Sequence, residues 1–424
     1  MKTLAAPISG MAQGLVGSEI LKIASEIRAR LAQGEKVVNL TVGDYRPDLF
    51  PIPSALRAAI LDAYASNQTN YPPSDGMPEL RETVARFYAE RLGLEYSPAS
   101  VVIASGVRPA LYCTFRTFLD PGDGLLFPVP SWNNNHYAWL CGARPLPVVA
   151  GADVRFLPTA EMLRPHLSEA RVLTLNSPLN PAGTCYTETE LERIVGLILD
   201  ENARRDDEGR APLILLYDMV YWMLTFGDTK HVTPVQIDPR MRAWTIFNDG
   251  ISKGFASTGL RVGWAVGPEA FMKPFSDLLG HVGAWAPRPE QVATARFLRE
   301  TAAVDAFLAE LKAGVARRLE ALHRGFEAMR TDGYPVRSIP PAGAIYLSAQ
   351  IDLVGRRAAG RTLGTNEDIR RFLLAEAGTA VVPFQAFGLK EDTGWFRLSV
   401  GALPLEDVGR LFPALRKALG RVES

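Results

Sequence analysis

Hydrophobic positions along this chain recur in two rhythms. In SEILKIASEIRARLAQG (18–34), Ile20, Ile23, Ala24, Ile27 and Leu31 fall at helical spacing, with Ser18 as a candidate N-cap and Gly34 as a C-cap. The spacing predicts an amphipathic helix at the start of the protein. From about residue 100 short apolar runs alternate with helical stretches: VVIAS (101–105), LLFP (125–128), RVLTLN (171–176), LILLYD (213–218), AWTIFN (243–248) and VGWAVG (262–267). Runs apolar on both faces suit parallel strands buried beneath helices. Their alternation with helices predicts an α/β fold with an open sheet, whose ligands gather beyond the carboxyl ends of the strands.

Three further stretches complete the organisation. The charged run DENARRDDEGR (200–210) reads as a solvated helix end or loop ahead of a strand. After Pro289 an Ala-, Leu- and Arg-rich segment reaching Met329 is helical over an unusual length, with a break expected near Gly314, and is long enough to join two domains. Beyond it, PVRSIPPAGAIYLSAQI, VVPFQAFG and WFRLSVGAL mix short strands with helices and predict a smaller α+β unit. There is no internal repeat and no low-complexity tract.

Composition narrows the function classes. The 424 residues are 47% apolar and 22% charged, ordinary for a soluble globular protein and enough for two or three structural units. Forty-six basic residues balance forty-six acidic ones, so no global field draws the chain to nucleic acid or an anionic membrane. Cys113, Cys141 and Cys185 are odd in number and widely spaced, which offers neither a disulfide framework nor a CxxC metal site. Pro7 and Gly10 interrupt the opening residues before any secretory apolar core forms, and no run approaches a membrane span. These features point to a cytoplasmic protein whose partners are small molecules or copies of itself. A phosphate-binding GxxxxGK[ST] loop, an HExxH zinc motif and a GxSxG elbow are all missing.

What the chain offers instead is functional side chains at strand ends. Asp218 closes LILLYD, Asn180 follows RVLTLNSPL and Lys253 lies just past AWTIFNDGI, so all three fall on the carboxyl edge of the sheet. A shielded Lys there can lower its pKa and form a Schiff base, and a nearby Asp can keep a pyridine nitrogen protonated for an electron-sink cofactor. In SGVRPALYCTF, Gly106 marks a strand-to-helix turn and Pro109 a first helical position, which frees the amides of Val107 and Arg108 for an anion. Arg261 adds a charged fork, and Trp132 offers a flat face for an aromatic ring.

In chain order the sequence reads LTVGDYRPD, NYPPSDGMPELRE, SGVRPAL, PSW, NSPLNPAGT, YDMVY, NDGISKGFASTGLRVGW, PPAGAIY and WFRLSVG. From about residue 18 to 420 this resembles the class I/II aminotransferases of the fold-type I pyridoxal-phosphate superfamily. The resemblance implies a large domain (48–310) with a mainly parallel seven-stranded sheet flanked by helices, a small α+β domain (311–424), and an N-terminal arm and helix (1–47) packing with the small domain. It implies that Lys253 holds pyridoxal phosphate and moves the substrate proton, and that Asp218 pairs with the pyridine nitrogen. Asn180 and Tyr221 are expected at the phenolic oxygen, Trp132 on the ring, and Val107, Arg108, Ser252 and Arg261 around the phosphate. Arg397 is expected to clamp the substrate carboxylate with help from Gly43, and Tyr71 to reach the phosphate of a neighbouring subunit in a homodimer. No metal is implied.

Three places depart from the family pattern. Gly250 stands three residues before the Lys, where a Ser is common, Pro383-Phe384-Gln385-Ala386 precede Phe387-Gly388, and the opening loop is GDYRPDLFPIP. The implied reaction passes an amino group from an L-amino acid, aspartate or a related acidic donor first, to a 2-oxo acid such as 2-oxoglutarate, alternating between pyridoxal and pyridoxamine forms. Arg108 is the candidate reader of a distal carboxylate, with Arg288 as a fallback. An aromatic donor, including kynurenine, is the next reading, with Trp132, Tyr71, Trp285, Phe384 and Phe387 as its pocket. Carbon–sulfur β-elimination would use the same Lys253 and Asp218, and a cofactor-sensing regulator is a further alternative, for which the chain leaves no room for a DNA-binding module.

Overall fold

The computed structural model describes residues 8–17 and 19–423. After a single helical turn at Gly10–Gly14, the expected amphipathic helix, α1, runs Glu19–Ala32 and is followed by Gly34 with φ +82°. Ser18, the expected N-cap, lies outside the described residues. Only Ile23 and Ile27 of the expected apolar face are buried, whereas Leu31 is exposed. Two buried positions suffice because α1 is also held by charge, with Arg370 donating to Glu26 at 2.8 Å.

Seven strands form the large sheet: β1 Val101–Ala104, β2 Gly124–Val129, β3 Arg144–Val149, β4 Ala170–Asn176, β5 Ile214–Asp218, β6 Thr245–Gly250 and β7 Gly263–Val266. Their spatial order is β1-β7-β6-β5-β4-β2-β3. The ladders are parallel except at β7, which runs antiparallel to both β1 and β6. Only residues 251–262 separate β6 from β7, and they hold two short helical turns but no crossover helix, so the chain turns back. Apolar pattern does not reveal β3. It is an edge strand with Pro145 and Pro147, pairs with β2 alone and is largely exposed, so it needs no continuous apolar run.

Two corrections follow for the helices, labelled α2 Val107–Phe118, α3 Glu188–Asp207, α4 Arg288–Arg299 and α5 Thr301–Thr331. The long helical segment breaks at Glu300, where ψ is 72°, and runs unbroken through Gly314, against which the Phe50 ring packs. Val304 on α5 joins the core of the large sheet, while Leu311, Val315, Leu319 and Leu322 join a second core. That second core lies against a four-stranded antiparallel sheet of β8 Val336–Ser338, β9 Tyr346–Ile351, β10 Val382–Pro383 and β11 Trp395–Ser399, in the order β10-β11-β9-β8.

The charged run at the end of α3 is not uniformly solvated. Arg205 is 3% exposed in its side chain and donates to Glu201, to the carbonyls of Leu167 and Ala170 at 2.6 Å each, and to that of Ala211 at 3.1 Å. Asn202 exchanges two hydrogen bonds with the backbone of Leu213 at the entry to β5. A guanidinium with five donors can be buried when carbonyls and one carboxylate meet them, and here it ties the helix to the start of β4 while Asn202 holds the entry of β5. Among the described residues no helix is long and apolar enough to cross a membrane.

Candidate active site

Register assembles the first part of the site. On the adjacent parallel strands β4, β5 and β6, Asn176 pairs with Asp218 and Asp218 with Asn248, so three polar side chains line one face at the carboxyl edge. Asn176 donates to the Asp218 carbonyl at 2.9 Å and accepts from the Asn180 amide at 2.8 Å, which fixes the loop presenting Asn180. Asn248 donates to Thr114 on α2 at 3.3 Å, and its buried Oδ1 has no partner. The Asp218 carboxylate accepts one hydrogen bond, from the Val220 amide at 3.2 Å. Burial pushes its carboxyl up to about 7, against which that one bond works weakly.

A second part forms at the start of α2. Gly106, with φ +82°, precedes Val107, the first helical residue, which puts Pro109 at the third helical position and not the first. Pro is tolerated there because the first amides of a helix have no internal acceptor. A side chain on Gly263 would run into the Gly106 backbone and the Val107 amide, and one on Gly250 into Gly263 and the Val262 carbonyl. The Gly250 departure therefore has a packing cause: three glycines let β6, β7 and the helix entry touch backbone to backbone. Arg261 lies against Gly106, donating to the carbonyls of Thr258 at 2.6 Å and Ser105 at 3.1 Å. Ser252 is buried in the turn after Gly250.

Lys253 occupies that same turn, Ile251–Gly254, and its Nζ donates to the Gly43 carbonyl at 2.7 Å. Burial lowers its pKa to about 8; Asp44 opposes the shift, and Arg397, Arg108 and Arg261 add to it. At pH 7 roughly one amine in ten is then neutral, against roughly one in three thousand at the ordinary lysine value. The loop 41–46 is strapped over this turn. Tyr45 donates to the Lys253 carbonyl at 3.0 Å, and Asp44 accepts from Thr258 at 2.6 Å.

Arg397, 1% exposed on β11, donates to Asn180 Oδ1 at 3.2 Å and to the Thr41 carbonyl at 2.8 Å, while its Nε has no partner. Its guanidinium carbon lies 4.7 Å from the Tyr346 ring centre and 4.8 Å from that of Phe387. Tyr221 shares a 2.7 Å hydrogen bond with Tyr346. A buried cation without a carboxylate costs on the order of several kcal/mol, and an anionic ligand can offset that cost. Arg397, Asn180, Tyr221, Lys253 and Gly43 are thus drawn into one hydrogen-bonded neighbourhood from distant parts of the chain. Asn176 and Tyr346 were not singled out by sequence reasoning. The only signal for Tyr346 is its place at the end of PPAGAIY, and Asn176 has none beyond its strand-end position.

Arg108 lies 4.5 Å over the half-buried Trp132 ring, and Ser131 donates to the Phe387 carbonyl at 3.0 Å, so these residues share one wall. The rest of the expected aromatic pocket is divided. Phe384 is buried against Phe156, and Tyr71, 81% exposed, meets Trp285 edge-on at 5.5 Å. Tyr71 is not hydrogen-bonded to the residues above. Arg288 donates to Gln68 at 3.1 Å at the head of α4, and Gln385 is anchored to Asn366 and Asp392. No group of three or more His, Cys, Asp or Glu side chains among the described residues could hold a metal ion.

The donor set fits pyridoxal phosphate. Free amides and a guanidinium face the Gly106 turn, a lysine with lowered pKa lies near it, and a carboxyl of raised pKa closes β5 on the same sheet edge. A buried arginine with one unpaired N–H remains for a carboxylate.

Comparison with known proteins gives a consistent picture. A family model described as aminotransferase class I and II matches residues 35–415. An aspartate aminotransferase of Rhizobium meliloti (strain 1021) is 30% identical over 410 residues, covering 96% of this chain and 92% of that protein. A probable aspartate/prephenate aminotransferase of Rhizobium leguminosarum bv. phaseoli is 30% identical over 387 residues, covering 90% and 91%. The crystal structure of the aspartate aminotransferase from Rhizobium meliloti superposes with a TM-score of 0.89 at 26% identity, covering 99% of this chain and all of that one.

Proposed function

Since the chain belongs to the class I and II aminotransferases, a family that implies dependence on pyridoxal phosphate, we propose that its amino donor is aspartate or a related acidic amino acid and its acceptor a 2-oxo acid such as 2-oxoglutarate. One observation carries this reading. Three guanidinium groups, Arg397, Arg108 and Arg261, act together on the Lys253 amine, and none of them is in an ion pair among the described residues. Asp44 offsets only part of this charge, which leaves room for ligand anions. A phosphate at Arg261, an α-carboxylate at Arg397 and a distal carboxylate at Arg108 would give each guanidinium an anionic partner, and an acidic amino acid brings two of the three.

Pyridoxal phosphate, when bound, supplies a conjugated ring that accepts the electron pair left when the Cα proton of the amino acid departs. The chain does the rest. Val107, Ser252, Arg261 and the backbone at Arg108 hold the phosphate at the head of α2. Asp218 would keep a proton on the ring nitrogen, Asn180 and Tyr221 would donate to the phenolic oxygen, and Trp132 would cover the ring. Lys253 anchors the cofactor and then carries the proton at Cα, for which an amine of pKa about 8 is suited near neutral pH. Arg397 clamps the α-carboxylate bidentately beside the Gly43 backbone. Tyr71, exposed on its own chain, serves the phosphate of a neighbouring copy in a homodimer. The large domain takes residues 48–310, the small one 311–424 with the 1–47 arm beside it, and the protein works in the cytoplasm.

The test is the visible spectrum of the yellow, cofactor-loaded protein after adding single L-amino acids without acceptor. Aspartate and glutamate are expected to bleach it, with 2-oxoglutarate restoring the colour. A second reading, an aromatic donor, draws on the adjacency of Trp132 and Phe387; bleaching by phenylalanine or kynurenine alone would select it. Release of pyruvate and ammonia without acceptor would indicate β-elimination instead. Arg108→Ala is expected to lower kcat/KM for aspartate about 10- to 100-fold and for phenylalanine less than about threefold, as removal of a charge-assisted fork predicts. Equal losses would confine Arg108 to the phosphate.

A further inference from the structure

Tyr346 stands where both domains meet the site. It lies on β9, the strand next to β11, with Tyr346 opposite Ser399 and Ser348 opposite Arg397, so Tyr346 and Arg397 are diagonal neighbours on one face of the small sheet. That register puts the Tyr346 ring beneath the guanidinium, 4.7 Å from centre to carbon. The hydroxyl extends past Arg397 to the large domain and meets the Tyr221 hydroxyl at 2.7 Å. It also packs on Gly43: a side chain there would approach it to 3.0 Å, and the carbonyl of the same glycine accepts the Lys253 amine. Tyr346 is fully buried and spends its hydroxyl on Tyr221.

The two phenols own one proton each, and the cofactor's phenolic oxygen is an acceptor. If Tyr221 donated to Tyr346 it would have nothing to donate to that oxygen. We propose that Tyr346 is a positioning residue that donates its hydroxyl proton to the Tyr221 oxygen and so reserves the Tyr221 proton for the cofactor, while its ring carries Arg397. The carboxylate clamp of one domain and the cofactor donor of the other are then held by a single side chain. This rests on the pyridoxal-phosphate reading above. A hydrogen bond received by Tyr221 polarises the one it gives, which favours the ionised phenolic oxygen. The groups facing the pair are Arg397 from β11 and Tyr45 and Asp44 from the 41–46 loop, and all stay in place when the Tyr346 hydroxyl alone is removed.

The experiment compares Tyr346→Phe, Tyr346→Leu, Tyr221→Phe and the Tyr221→Phe/Tyr346→Phe double variant as cofactor-loaded proteins. Two quantities are read: the pH midpoint of the visible band and the affinity for a simple dicarboxylate inhibitor. Weakening the hydrogen bond that the phenolic oxygen receives makes that oxygen hold its proton to higher pH, so Tyr346→Phe, which leaves Tyr221 donating without the bond that polarises it, is expected to raise the midpoint by about 0.3 to 1 unit. Tyr221→Phe should raise it further, and the double variant should match Tyr221→Phe alone, because Tyr346 acts through Tyr221. Tyr346→Phe keeps the ring and should leave inhibitor affinity within about twofold, whereas Tyr346→Leu should weaken it about 3- to 20-fold by removing the cation–π face. An unchanged midpoint in Tyr346→Phe, or the same shift in both Tyr221 backgrounds, overturns the relay; equal affinities in the Phe and Leu variants overturn the support of Arg397. Failure of the parent protein to take up pyridoxal phosphate and turn yellow overturns the functional reading itself, and this inference with it.

Discussion

Lys253→Ala is expected to purify folded and to lose turnover by at least about 10⁴-fold, because the proton carrier and the covalent anchor disappear together. Folding should survive. The backbone of the 251–254 turn keeps its bond from Tyr45, and the deleted amine is one that burial already disfavours as a cation. With a folded pKa of about 8 against 10.5 unfolded, the unfolded chain binds more protons between those values, so the Lys253 contribution to stability rises with pH across that window. Lys253→Ala should remove this part of the slope. Borohydride followed by mass spectrometry gives the direct test: the parent gains the mass of the reduced cofactor on the peptide containing Lys253, and the variant does not. Normal trapping in the variant would place the anchor on another lysine.

Asp218→Asn is the second large effect, with turnover expected to fall about 10²- to 10⁴-fold while cofactor still binds through Lys253 and Arg261. The substitution keeps shape and removes only the charge that holds the ring nitrogen protonated. Near-normal turnover would reject that role. Without cofactor the same carboxyl is a burden, since burial raises its pKa from 3.8 to about 7. The folded chain then binds more protons than the unfolded one between those values, and stability falls as pH rises through them. Cofactor-free Asp218→Asn is therefore expected to gain melting temperature over the parent at pH 8 and not at pH 4. The slope should shrink without vanishing. Asp249, buried on the opposite face of β6 with bonds from Trp222 and Tyr88, is pushed to about 7 as well.

Much of this site is legible in the chain because each motif residue is placed by local rules. Asp218, Asn180 and Lys253 follow apolar runs, and a run buried on both faces delivers its last residues to the carboxyl edge. Gly106 before Val107 announces a helix entry through its positive φ. Where local rules compete with packing, the reading shifts. Gly314 looks like a helix break but sits inside α5, where Phe50 fills the space beside it, and the actual break at Glu300 carries no Gly or Pro. The prolines of β3 hide an edge strand, and a charged run conceals Arg205, whose burial depends on the carbonyls of Leu167 and Ala170, more than thirty positions back, and on that of nearby Ala211.

By itself, then, the sequence determined which chemical groups exist and on which strand ends and turns they stand, since periodicity, glycine placement and strand termination are short-range properties. Only the tertiary structure decided which of them meet. The antiparallel turn of β7, the line of Asn176, Asp218 and Asn248, the division of the aromatic residues and the stacking of Tyr346 under Arg397 all arise from register and from contacts between separate elements. A side chain such as Tyr346 looks like any core tyrosine until the strand beside it brings a buried cation to its face and a second phenol to its hydroxyl.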